Sequence, residues 1–340
     1  MNCESAADPG CSRDVAETAP EIRETHTGIV VLVGDRAYEG KKPVVTDFLD
    51  FSTVQRRELA CQRELRLNFR LAGESYLGVA HLTDPGGGQP EPVVVMRRYP
   101  DSLRLASMVQ RGEEVEAHLS AIAERVARFH READRSPTVG ACAIKERVEN
   151  LAELDRWAGT VLAPETRAEV RRLALQFIDG RHALFADPGD DDRIVDGRGD
   201  LIAEDVFCPS DGPVLLDCLE FDDELRYLDS LDDTAFLAMD LEFLGSQEHG
   251  EFFLKEYGRL AADPASDALA HFYIADSGVY NAGLYTPDKV YAAVLLRATP
   301  HIASAMIDDQ TPWPEAHRID TSRPLSDSVA EARQACCLAI

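Results

Sequence analysis

"GRGDLIAEDVFCPSDGPVLLDCLEF", residues 197–221, holds the densest chemistry in the chain. Its first part contains Arg198-Gly199-Asp200, which in an extracellular loop would be an adhesion signal. The full stretch reads differently. Asp200 and Asp205 stand at the two ends of one short loop. After them, "DVFCPSDGPVLLD" forms two short strands about a Ser-Asp-Gly-Pro turn, the second ending at Asp217. Such a hairpin returns Asp217 toward the loop. Three carboxylates converging on one point repel one another unless a cation joins them. Magnesium, a hard ion that shares its shell with phosphates, suits the set best. Three solvated loop aspartates in an acid-rich chain are the alternative.

The bulk numbers bear on the adhesion reading. The chain has 340 residues and is 45% hydrophobic, enough for a sizeable core and about two domains or lobes. Acidic residues outnumber basic ones 61 to 35, for a formal charge of −26. Such a surface repels phosphate backbones and anionic lipid, so neither nucleic acid nor a membrane surface is expected as a partner. No run of about 18 apolar residues occurs, and the acidic start lacks the basic and apolar parts of a signal peptide. The eight cysteines include no CxxC pair and no Cys/His ligand spacing, so reduced thiols are expected. The chain reads as cytoplasmic, where an adhesion tripeptide meets no receptor.

Elements follow from periodicity. Ile29 to Val33, a Gly34-Asp35 turn and a second strand toward Lys41 make a hairpin. "STVQRRELACQRELRLNFRLAG" places Leu59, Leu65, Leu67 and Phe69 in a roughly helical pattern that ends at Gly73, and Val93 to Met96 form a further strand closed by Pro100. The first hundred residues thus predict a small sheet with one helix. Beyond them, Val115, Leu119, Ile122, Val126 and Phe129 fall on one helical stripe, as do Val170, Leu173 and Phe177 after Pro164. Helices resume at "LDDTAFLAMDLEFLG", with Gly245 as the stop. We expect a disordered tail over 1–20, an N-lobe over 21–98, a helical C-lobe over 99–320 and a terminal helix or tail over 321–340. His130 reads as a packing residue at a helix end.

"VGDRAYEGKKPV" fails as a Walker A loop. Gly34 and Gly40 have five residues between them, and Lys42 stands where Ser or Thr is needed. Lys41 and Lys42 remain candidates to reach a phosphate from a strand.

The segment 197–221 resembles the catalytic core of the aminoglycoside phosphotransferase-like kinase family. It is most similar to a bacterial branch in which the domain occurs alone or ahead of a gluconate-kinase-like domain. Arg198-Gly199-Asp200-Leu201 matches that family's His-Gly-Asp-Leu loop, with Asp205 at its Asn position. Leu216-Asp217-Cys218-Leu219-Glu220-Phe221 matches the metal strand, and Ala235 to Leu241 matches "AFLAMDL". Upstream, "THTG", "KKPV", "FLDFSTVQRRE", "YLGV", "PVVVMRRYP" and "FH" extend the likeness over about residues 22–275.

The resemblance implies an α+β, protein-kinase-like two-lobe fold and an ATP- and magnesium-dependent transfer of phosphate to a hydroxyl of a small-molecule substrate. It implies that Asp200 deprotonates the acceptor and that Asp205 and Asp217 hold magnesium. It places Lys41 on the phosphates with Glu64 holding the lysine, Lys42 and Glu58 being the close alternatives. Met96, Arg97, Arg98 and Tyr99 become the hinge beside adenine.

Four departures stand against the match. Arg198 replaces the histidine, Asp205 the asparagine, and Glu39 a lysine of the branch. Asp276 to Gly283 replaces a basic helix. No second, gluconate-kinase-like domain is expected before Ile340. A kinase-like protein that binds nucleotide or a partner without catalysis is the rival reading, and a metal-dependent phosphohydrolase a third.

Overall fold

Gly34 and Asp35 reverse the chain, and the strands on either side pair antiparallel with Val33 opposite Arg36. The computed structural model describes residues 20–25, 27–46, 49–83, 86–135, 164–181, 184–185, 193–221, 223, 225–261 and 267–284. Within them, β1 (Glu21–Glu24), β2 (Gly28–Val33), β3 (Arg36–Lys41), β4 (Tyr76–Leu82) and β5 (Glu91–Arg97) form one antiparallel sheet in the order β1-β2-β3-β5-β4. The hairpin is the expected one. The sheet is wider than expected, because β1 and β4 join it. β1 is polar ("EIRE"), and β4 carries Gly78 at a register shift after Tyr76, so neither shows a clean alternation.

α1 (Val54–Ala72) starts at Thr53, whose hydroxyl accepts the Arg56 N–H, and packs across β4 and β5. Its orientation corrects the expected stripe. Leu59 and Phe69 are 69% and 64% exposed, and the buried face is Arg57, Cys61, Glu64, Asn68 and Leu71. Those positions keep a helical spacing of three and four, yet three of the five are polar. A search for apolar periodicity passes over such a face. Leu32, Ala37, Cys61, Ala72, Tyr76, Val94 and Met96 make the core of this lobe.

The second core is helical. α2 (Leu105–Gln110), α3 (Glu116–Glu132), α4 (Pro164–Gly180), α5 (Ser230–Phe243), α6 (Gln247–Ala261) and α7 (Asp267–Leu284) surround it. Val115, Leu119, Ile122, Val126 and Phe129 are all buried, as are Val170, Leu173 and Phe177. Phe177 stacks on Phe272 of α7 with ring centroids 4.7 Å apart. α5 packs against both α6 and α7 and is buried from Ser230 through Glu242, then stops at Gly245 as expected. Two short pairs sit on this lobe: β6 (Ile194–Asp196) with β9 (Tyr227–Asp229), and β7 (Val206–Phe207) with β8 (Val214–Leu215). No helix among the described residues is long and apolar enough to cross a membrane. Of the expected tails over 1–20 and 321–340, residues 1–19 and 321–340 lie outside the described residues.

The two faces of α1 and α3 give a stability test. Leu119→Ala is expected to cost about 2–5 kcal/mol in urea unfolding, whereas Leu59→Gln is expected to stay within about 0.5 kcal/mol of wild type. Equal losses would mean that α1 buries the apolar face after all.

Candidate active site

The cleft between the lobes is organised by one lysine. Lys41, the last residue of β3, places its Nζ 2.8 Å from Glu64 Oε2, 2.9 Å from Glu39 Oε1 and 3.0 Å from Glu220 Oε1. Glu39 lies two residues back on the same strand face, Glu64 projects from the buried face of α1, and Glu220 arrives from the C-lobe. Burial pulls the ammonium down, but the three carboxylates outweigh it and hold Lys41 well above the ordinary lysine value. Burial, then Glu39, push Glu64 well above the usual carboxylate range against the pull of Lys41. One cation among three acids leaves an excess of negative charge.

The alternatives left open by the sequence separate here. Lys42 pairs with Glu24 at 2.5 Å and donates to the Thr25 carbonyl, on the β1 side. Glu58 meets His81 at 2.8 Å on the outer part of α1. Lys42 is therefore not brought to the cleft. The hinge side chains are not brought to it either: Met96 is part of the N-lobe core, Arg97 is exposed, and Arg98 donates to Glu21 at 2.9 Å.

α1 also fixes the segment bearing Asp217. Asn68 Oδ1 accepts the Cys218 N–H at 2.8 Å, and the Tyr76 hydroxyl accepts the Asp217 N–H at 3.3 Å. Arg70 donates to the carbonyls of Asp196 and Gly197 at 3.1 and 3.2 Å. Asp217 lies two residues beyond β8 and takes φ 62°, the single positive φ among described non-glycine residues. A left-handed aspartate is a strained choice that only an over-determined neighbourhood sustains.

The loop from Arg198 to Asp205 is braced from the C-lobe. Asp233 of α5 accepts the backbone N–H groups of Arg198 and Gly199, both at 2.9 Å, and faces His130 at 2.8 Å. His130 meets the Tyr257 hydroxyl through its other nitrogen at 2.8 Å. Burial alone would raise Asp233, but His130 and the two amides hold its carboxyl below the usual range. Gly197 admits this approach, because a Cβ there would lie 2.7 Å from Asp233 Oδ2, and Gly199 turns the chain at φ 80°. Asp240 accepts the Ala203 N–H at 2.7 Å, and burial pushes it up to about 6. Arg198 is wholly buried and donates to the carbonyls of Leu215, Leu216 and Asp217. It braces the strand before Asp217 rather than any acid.

Asp200, Asp205 and Asp217 act on one another electrostatically. Burial first, then Asp217 and Asp200, hold Asp205 well above the usual range. Burial first, then Glu39 and Glu220, push Asp217 up to about 7. Among the described residues no group of three or more His, Cys, Asp or Glu side chains is arranged to hold a metal ion. The expectation of three carboxylates meeting round one cation is not met in that form. Two mutually repelling, hard oxygen donors do suit magnesium, which takes one or two carboxylates and completes its shell with phosphates and water.

Sequence reasoning missed Glu39 and Glu220 as partners of Lys41, and His130, Asp233 and Asp240 as the support of the loop. The resemblance to "AFLAMDL" and "FH" marked Asp240 and His130 without giving a reason for them. Asp233→Ala is expected to lower stability by about 3–5 kcal/mol in urea, since it strands two buried amides and His130. Because the folded carboxyl sits below its unfolded value, its contribution is complete above about pH 4 and fades as pH falls through the lower folded value. Asp233→Asn is expected to lose less stability than wild type over that acid range.

No family model matches the chain. It is 50% identical over 302 residues to uncharacterised proteins of Mycobacterium bovis and Mycobacterium tuberculosis, covering 84% of this chain and 60% of each relative. The chain therefore spans 60% of the length of the curated relatives it matches. Among solved structures it is similar to a choline/ethanolamine kinase family protein from Mesorhizobium loti, with TM-score 0.50 and 15% identity over 94% of both chains. It is also similar to the GDP complex of wild-type aminoglycoside 2'-phosphotransferase-IIIa, with TM-score 0.51 and 14% identity over 86% of this chain and 95% of that one. At such identities the likeness is one of fold: an α+β, protein-kinase-like architecture with a β-rich N-lobe and a helical C-lobe.

Proposed function

We propose that this protein is an ATP- and magnesium-dependent phosphotransferase acting on a hydroxyl of a small molecule in the cytoplasm. The observation that carries the reading is Lys41, a buried N-lobe cation that faces Glu64 on α1 and meets the C-lobe at Glu220, three residues after Asp217. The fold shared with small-molecule kinases supports it, as does the GDP held by the aminoglycoside phosphotransferase.

In this reading Lys41 orients the nucleotide phosphates, and Glu64 keeps the lysine extended into the cleft. The backbone of residues 96–99 lies beside the base. Asp205 and Asp217 would hold magnesium, which supplies charge neutralisation at the phosphates when bound. Asp200 accepts the proton of the acceptor hydroxyl as its oxygen bonds to the transferred phosphorus and the bond to the departing diphosphate breaks. Asp233, Asp240 and Arg198 keep that loop and the Asp217 strand in one geometry before substrate arrives.

The rival reading, a nucleotide- or partner-binding module without turnover, is favoured by the occupation of Lys41 by three carboxylates. Thermal shift separates the two. Mg-ATP at a hundredfold excess over its Kd is expected to raise the melting temperature by about 5 °C or more, and Asp217→Ala to lose that shift. Across a panel of hydroxylated metabolites, Asp200→Asn is expected to cut phosphate transfer about 10²–10⁴-fold. A shift without transfer to any acceptor would favour the binding module. Phosphate release without an acceptor would favour a hydrolase, and no shift at millimolar nucleotide would remove the nucleotide site.

A further inference from the structure

An ammonium group has three donors; Lys41 donates hydrogen bonds to Glu39 at 2.9 Å and Glu220 at 3.0 Å, and its ion pair with Glu64 at 2.8 Å completes the cluster. A phosphate reaching that lysine competes with the Glu39 and Glu220 hydrogen bonds. The three acids are not equivalent. The Glu64 side chain is 1% accessible and projects from the buried face of α1, whereas Glu39 and Glu220 are 21% and 12% accessible and are the solvent-facing members of the cluster. Glu39 and Glu220 against Lys41 leave a net charge of −1 before Glu64 is counted, so the approach to Lys41 is repulsive to an anion.

We infer that Glu39 and Glu220 form a charge gate on Lys41, which admits a polyphosphate only when divalent cations cancel its charge. The inference rests on reading the cleft as a phosphate site and adds the form of phosphate that it accepts. Glu64 holds the lysine permanently. Glu39, from the N-lobe, and Glu220, from the C-lobe, are the partners that a phosphate must displace. Each removed carboxylate lowers the repulsion felt by a phosphate about 6 Å away, which corresponds to about a tenfold gain in affinity for a metal-free anion at low salt.

The test is calorimetric titration of the full chain with three probes: Mg-ATP, ATP in metal-free buffer, and inorganic tripolyphosphate in metal-free buffer. Wild type is compared with Glu39→Gln, Glu220→Gln and Glu24→Gln. Glu24 pairs with Lys42 on β1 and serves as the control for net charge. The gate predicts that wild type binds Mg-ATP and holds the metal-free anions weakly. It predicts that Glu39→Gln and Glu220→Gln each bind the metal-free anions about tenfold more tightly than wild type, with Glu24→Gln unchanged. The two gate residues come from different lobes, so if one variant fails to fold the other carries the test.

Equal metal-free affinities in wild type and both variants would overturn the gate, and Mg-ATP binding by wild type would leave the nucleotide reading intact. An equal gain in Glu24→Gln would reduce the effect to overall charge and overturn the gate too. Absence of Mg-ATP binding by wild type, with tripolyphosphate binding gained in the variants, would remove the nucleotide reading and keep the gate.

Discussion

A buried ammonium cannot stay charged without acids around it, and Lys41 draws its acids from three different elements. This one requirement accounts for features that otherwise look unrelated. It explains why β3 carries Glu39 on the face of Lys41, and why α1 buries Glu64 where a leucine would be expected. It also explains why the segment leading away from Asp217 brings an acid, Glu220, to the N-lobe. The lobes thus meet through an ion cluster as well as through packing. Asn68, Tyr76 and Arg70 extend the same contact along α1 and β4 to the backbone around Asp217 and Gly197.

A second acid does for the C-lobe what Lys41 does for the cleft. Asp233 is buried in α5 and accepts two consecutive amides of the loop that holds Asp200. The loop is therefore fixed at its N-terminal end by a carboxylate, at Ala203 by Asp240, and through Arg198 to the carbonyls of Leu215, Leu216 and Asp217. Three polar braces on a short loop favour one geometry over many, the property a site for phosphate transfer needs. The left-handed Asp217 is the strained point that these contacts sustain.

Much of this was legible in the sequence, and the rest was hidden for physical reasons. The β2–β3 hairpin, the buried stripes of α3 and α4 and the β7–β8 turn follow from periodicity and turn chemistry, because those segments obey local rules. The face of α1 was misread because Arg57, Glu64 and Asn68 line polar partners instead of a core, so apolar spacing pointed to Leu59 and Phe69 on the outside. β1 and β4 were missed because a polar edge strand and a bulged one lack alternation. At the site, Lys41 and Glu64 could be named but not chosen over Lys42 and Glu58, since strand register comes from pairing. Glu39 was read as a lost base, and its contact with Lys41 became visible only with register in hand.

The central claim is that Lys41, and not its neighbour, is the cation that receives phosphate. The direct measurement is displacement of a fluorescent nucleotide by Mg-ATP from wild type, Lys41→Met and Lys42→Met, each checked for folding by its melting curve. Lys41→Met is expected to lose at least about tenfold in Mg-ATP affinity, with Lys42→Met within twofold of wild type. Loss in Lys42→Met with Lys41→Met unchanged would contradict the account.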